Sequence, residues 1–118
     1  MINPETFRKL ALSYPQAEEL PHFEKTSFRI KNKIFATLSS EKNRACIKLS
    51  ENDQYSFCAF DETVIYPVQN KWGLQGWTMI DLKKVKMKIL KQALNASYNE
   101  VASKALLKKS KKRKNNLF

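Results

Sequence analysis

The stretch Thr26–Leu49, TSFRIKNKIFATLSSEKNRACIKL, decides the fold. Thr26, Phe28 and Ile30 alternate with Ser27 and Arg29, the period of a half-buried β-strand. Lys31-Asn32 suits a two-residue hairpin turn, because asparagine tolerates positive φ. That turn pairs Ile30 with Lys33 and Phe28 with Phe35. A second strand, Lys33 to Leu38, leads through a polar five-residue loop, Ser39 to Asn43, into a third strand, Arg44 to Leu49. Pairing Leu38 with Arg44 sets Phe35 opposite Ile47 and Thr37 opposite Ala45. In these registers Phe28, Ile30, Phe35, Ala45, Ile47 and Leu49 share one face, with Thr26, Lys33 and Thr37 at its margins. A slip of one residue scatters them, so the agreement of the two registers is the strongest structural signal in the chain. The other face holds Arg29, Ile34, Ala36, Leu38, Arg44, Cys46 and Lys48, a mixture that predicts only partial cover.

Working outward, Asn3-Pro4 reads as an N-cap followed by proline at the first helical position. Phe7, Leu10, Ala11 and Tyr14 give that helix one apolar face, and Pro15 ends it. The residues before Pro21 favour extended backbone, so Ala17 to Leu20 suits a short strand. Past the hairpins, Ser50 with Asp53 predicts a capped helix from Glu51 to Ala59 that buries Tyr55, Cys58 and Ala59. Strands are expected over Thr63–Pro67 and Trp77–Leu82, on either side of a loop with both glycines. A helix from Val85 to Ala96 should follow. The capping box Ser97-Tyr98-Asn99-Glu100 then starts another, to about Lys109. The expected class is α+β: an antiparallel sheet (a hairpin meander over 26–49 plus strands near 63–67 and 77–82) packed by an N-terminal helix and two C-terminal helices. A length of 118 residues suits one domain, here 1–109, with 110–118 as a basic flexible tail.

The charge is segregated. Lys83–Phe118 holds twelve Lys/Arg and one acid, Glu100, while the preceding 82 residues hold ten of each, so the whole net charge of +11 sits at one end. A charge that only solubilises need not gather, so segregation points to contact with a polyanion. The N-terminus MINPETFRKL lacks the apolar core of a signal peptide, and no apolar run reaches the length of a membrane span. A soluble cytoplasmic protein is the expectation, monomeric and without membrane attachment.

No catalytic, cofactor or metal site is expected. His22 is the only histidine, and without a nucleophile signature it reads as a structural residue. Glu18, Glu19 and Glu24, and later Asp61 and Glu62, lack calcium-loop spacing and read as solvated acids. Cys46 and Cys58 make neither a CxxC pair nor a zinc pattern. Cys46 alternates with Arg44 and Lys48, which lowers a thiol pKa if the three share a face. Trp72 and Trp77 read as core residues before base-stacking platforms. Gly73 and Gly76 do not build a phosphate loop.

Several short pieces occur in a familiar order: Ala11-Leu12-Ser13-Tyr14-Pro15, Glu18-Glu19, His22-Phe23, Lys33-Ile34-Phe35-Ala36, Gly76-Trp77 and Ser97-Tyr98-Asn99-Glu100-Val101. Together they resemble the MmcQ/YjbR-like family of small bacterial proteins. The resemblance implies a frataxin-like, double-wing arrangement and a DNA-binding label, with no catalytic residues. Frataxin-like iron binding goes with an acidic surface, and the basic helices here argue against it. The KKSKKRK run lies beyond the matched pieces. The expected activity is therefore DNA binding of low sequence specificity, with no enzymatic role. Phosphates would meet Lys83, Lys84, Lys86 and Lys88, a hairpin wing of Arg29, Lys31 and Lys33, and the tail residues Lys111, Lys112, Arg113 and Lys114. The alternative is a protein-interaction or small-ligand module whose basic end only solubilises it.

Overall fold

The computed structural model describes the backbone of residues 1–117 and the side chains of residues 1–105. Helix α1 (Pro4–Leu12) precedes strands β1 (Glu18–His22), β2 (Lys25–Ile30), β3 (Lys33–Ser39) and β4 (Arg44–Lys48). Helix α2 (Glu51–Cys58), strand β5 (Ile65–Pro67), the short helix α3 (Lys71–Leu74), strand β6 (Trp77–Asp81) and helix α4 (Met87–Leu117) complete the chain. The strands form one six-stranded sheet in the order β1-β2-β3-β4-β6-β5, antiparallel throughout. Its two edges are β1 and β5. The α+β class holds. A start at Asn3 also holds, since its side chain accepts from the Thr6 N–H at 2.8 Å.

The central hairpin differs from the expected register, for a physical reason. Lys31 and Asn32 both take positive φ, 49° and 68°, as a tight two-residue turn requires. Ile30 pairs with Lys33 and Arg29 with Ile34, but Phe28 pairs with Ala36 across a bulge. Phe35 is the extra residue. The shift then puts Ala36 opposite Ile47 and Leu38 opposite Ala45. The expected pairing of Phe28 with Phe35 would have turned Thr37 inward and left Leu38 on the open face. With the bulge, Phe35, Ala36 and Leu38 are all buried. An extra leucine removed from water outweighs one local irregularity in the ladder. Ser39 now pairs with Arg44, so the β3–β4 loop is one residue shorter than expected and turns through Asn43 at φ 51°.

One face of the sheet carries the core. Phe28, Phe35, Ile47, Ile65 and Ile80 meet Phe7 and Ala11 of α1 and Leu90, Ala93 and Leu94 of α4. Helix α2 closes the β5 end of this face with Phe57 and Cys58, and its Gln54 side chain donates to the Gly73 and Trp77 carbonyls and to Thr78 Oγ1. Ser50 caps α2 as expected, but Tyr55 is 80% exposed and Ala59 is exposed. Residues 54, 57 and 58 make the inward face, and Tyr55 falls on the other side of the helix. Gly76, just before β6, has φ 102°, and a methyl group there would lie 1.9 Å from the Leu49 carbonyl oxygen, so only glycine fits.

The two expected C-terminal helices are one. Helix α4 opens at Met87, two residues late, because the Asp81 carboxylate accepts the Lys83 N–H at 2.9 Å and holds a turn first. It then runs unbroken through Ser97. That serine does not cap a helix. Its hydroxyl is buried and faces the sheet, donating to the Phe35 carbonyl at 2.6 Å and accepting from the Lys48 N–H at 3.1 Å. Ala93, Ser97, Val101 and Ala105 form one buried line at helical spacing, so nothing in the packing interrupts the helix. Next to it, the Tyr98 ring stacks on Tyr14 at 4.6 Å and its hydroxyl donates to the Pro15 carbonyl at 2.7 Å. The backbone of α4 remains helical across residue 110, the expected start of the tail, while the side chains of 106–118 lie outside the described residues. Ser97→Ala should lower stability by about 1–3 kcal/mol in urea unfolding, because it leaves a buried carbonyl and a buried N–H without partners. A loss below about 0.5 kcal/mol would show that water replaces the hydroxyl there.

Candidate nucleic-acid interface

The register places the expected DNA-contacting residues in two groups at opposite ends of the sheet. The β2–β3 turn with Lys31 lies at the end where β4 finishes and β6 begins. Strand β6 instead delivers Lys83 and Lys84 to the other end, level with the β3–β4 loop, since Asp81 pairs with Arg44. The seven residues of β3 separate the two ends by roughly 20 Å at ~3.3 Å per residue. Lys83, Lys84, Lys86 and Lys88 are all exposed and follow one another from the β6–α4 turn onto the first turn of α4. Lys31 and Lys33 are exposed at the far end. Arg29 is half-buried on the open face, where its Nε donates to Ser27 Oγ at 2.9 Å.

Helix α4 runs from the first group toward the second, since Ser97 meets Phe35 and Lys48. Lys48 is half-buried there, and burial, together with the charge of Lys104, pushes its pKa down. The run Lys111, Lys112, Arg113 and Lys114 lies outside the residues whose side chains are described. The helical backbone carries it roughly 20–25 Å along the axis from Ser97 at 1.5 Å per residue. The tail is therefore spatially distant from the Lys83–Lys88 group, although both belong to one basic stretch of sequence.

The face of the sheet away from the helices is open. A groove of about 430 Å³ crosses it, floored by Ile34, Thr37, Cys46 and Met79. Trp72, Trp77 and Val68 line one side, and His22 and Lys25 the other. The two tryptophans are thus not core residues: Trp72 is 50% exposed and Trp77 half-buried. Trp77 and Met79 alternate with the buried Thr78 and Ile80, so this face was visible as a period of two. Trp72 has no such signal. It stands on α3, whose Gly73 is pressed so close to Val68 that a methyl group would lie 1.9 Å from the carbonyl oxygen.

His22 does not meet a carboxylate in the groove. Alternation along β1 sends Glu19 to the other face, where its carboxylate accepts from Arg8 Nε at 2.8 Å and from Thr26 Oγ1 at 3.0 Å. The Arg8 guanidinium is raised in pKa by that bond. Among the described residues no group of three or more His, Cys, Asp or Glu is placed to hold a metal ion. No described helix is long and apolar enough to cross a membrane.

An antiparallel sheet with all its major helices on one face, and its other face bare, defines the architecture as a small two-layer α+β protein. The family model YjbR matches residues 12–100, and the chain belongs to the YjbR family. The crystal structure of a Deinococcus radiodurans protein with a DUF419 domain is similar in fold, with a TM-score of 0.77 at 19% identity over 89% of this chain and 82% of that one. No curated protein matches the chain. The short pieces by which the family resemblance is read are largely architectural here. Tyr14, Pro15 and Tyr98 join α1 to α4, Glu19 joins α1 to β1 and β2, and Ser97 joins α4 to the sheet.

At Cys46 the condition for a lowered thiol pKa is not met. Arg44 and Lys48 share its alternation, yet the thiol is not activated: burial pushes its pKa up from 9.0 to about 11, against a smaller opposing effect of Lys25. The thiol therefore stays protonated at neutral pH. In a Cys58→Ser background, iodoacetamide should label native Cys46 slowly at neutral pH, with a rate that climbs until about pH 11. A midpoint at or below 9.0 would show an ordinary or activated thiol. The folded state holds this proton more tightly than the unfolded chain does. Its contribution to stability is complete below the ordinary value of 9.0 and is lost as the pH rises through about 11.

Proposed function

We propose that this YjbR-family chain is a DNA-binding protein that grips phosphates with little base selectivity, and that its role is binding and not catalysis. The observation that carries the reading is charge segregation: the net +11 lies in Lys83–Phe118, and its first four lysines, Lys83, Lys84, Lys86 and Lys88, are all exposed. Their position on a turn and a helix start gives a compact cationic group. Lys31 and Lys33 are exposed at the other end, and the Lys111–Lys114 run would add further phosphate contacts. Contacts to phosphate fix a protein on the duplex without reading sequence. The protein acts, in this reading, as a cytoplasmic monomer.

The second reading is a small-ligand or protein-interaction module, and the open groove favours it. The two readings differ in salt dependence. With about six phosphates neutralised, log K for a short duplex should fall with log salt at a slope of roughly −5. Charge reversal of Lys84, Lys86 and Lys88 to Glu should flatten that slope by about 3. Fluorescence anisotropy with a labelled duplex measures both. A flat slope, or no binding at low salt, leaves only the second reading.

A further inference from the structure

The bare face of the sheet has a charge, a shape and a strained support that the phosphate reading leaves unused. Its groove is lined by two tryptophans, by Lys25 and by His22, and no acid lines it. Lys71 Nζ lies 5.9 Å from the centre of the Trp72 ring, so a cation accompanies the more exposed tryptophan as well. The adjoining cleft toward the β3–β4 loop mixes Glu24 and Glu41 with Lys25, Lys42 and Arg44.

The support of Trp72 is costly. Asn70 has φ 93° and ψ −169°, a region that glycine enters readily and side chains do not. It is held there by its own side chain, which accepts from the Trp72 N–H at 2.9 Å, and by the packing of Gly73 on Val68. Gln54 donates to the Gly73 carbonyl at 3.0 Å and locks the same turn from the core side. Strain of this kind persists only where surrounding structure enforces it, and such positions gather at functional sites. Its effect here is to hold a large, half-exposed ring beside the mouth of the groove.

We propose that the open sheet face, across Trp72, Trp77 and the floor between them and Lys25, is a binding site for single-stranded nucleic acid. Unpaired bases stack on the tryptophan rings, and Lys25 and Lys71 meet the phosphates. The chemistry selects this occupant. Aromatic planes recognise the face of any base, and that face is hidden by its neighbours inside a duplex. Cations without competing acids in the groove match a polyanion, and the net charge of +11 draws one in. An apolar peptide would use the rings but leave Lys25 and Lys71 unused.

Tryptophan emission tests this directly, because the chain has two tryptophans and both line the groove. The full-length protein is titrated with a short thymidine oligomer, with a duplex of equal length, and with an abasic oligomer of equal charge. The thymidine oligomer should change the emission, and the duplex should not. Trp72→Ala, at an exposed position, should weaken oligomer binding by about tenfold to a hundredfold, and Trp72→Phe should restore most of it. Duplex affinity should be unchanged by either. If the abasic oligomer binds as tightly as thymidine, or Trp72→Ala leaves the affinity unchanged, stacking is absent and the proposal fails. It fails equally if an apolar peptide changes the emission and the oligomer does not. The Lys84, Lys86 and Lys88 reversal separates this from the duplex reading: it should weaken duplex binding and flatten its salt slope while the oligomer still perturbs the tryptophans.

Discussion

The hydroxyl of Ser97 sits where two strands and a helix meet, and the architecture depends on it. In the register of β3 and β4, Phe35 and Lys48 would be the next pair after Ala36 and Ile47. The ladder stops short of them, and the Phe35 carbonyl and Lys48 N–H both turn to one side-chain oxygen on α4. A buried carbonyl and a buried N–H without partners would each cost about as much as a hydrogen bond is worth. The bulge at Phe35 is thus balanced by the helix that covers it. The small side chains of Ala93 and Ser97 let α4 approach closely enough for the bond to form. The Tyr98 ring then fixes the helix against Tyr14 and Phe35.

With α1, α2 and α4 committed to one face, the other is left to solvent. The described charge follows a different division, between the two ends of the sheet and not between its faces. The two divisions make separate surfaces: a lysine group at the start of α4, and a bare aromatic groove with a cation on each side.

Much of this architecture was legible in the chain, and what was not has identifiable causes. The meander, the Asn3 and Ser50 caps and the tight Lys31-Asn32 turn follow from local rules that the tertiary structure leaves alone. The bulge was invisible because a period of two admits either Thr37 or Leu38 inside, and only the depth of the assembled core prefers leucine. Ser97-x-x-Glu100 has the pattern of a capping box, but a pattern does not say whether the hydroxyl faces its own backbone or a neighbouring strand. The open face was half legible. The alternation of Trp77 and Met79 against Thr78 and Ile80 marked it, whereas Trp72 depends on Asn70 and Gly73, whose roles exist only once Val68 is beside them. Exposure of the Lys83–Lys88 group followed from composition. Its distance from Lys31 did not, because strand order alone sets which end each loop occupies.

The two edge strands have a consequence of their own. Both β1 and β5 contain a proline, Pro21 and Pro67, and proline brings no N–H to a ladder. β5 is also only three residues long. A strand arriving from another molecule would find a donor missing at either border, and at one of them almost no length to grip. The sheet is bounded by its own chemistry. Recognition is thereby steered away from strand addition and toward the broad surfaces, where side chains and not backbone decide what is held.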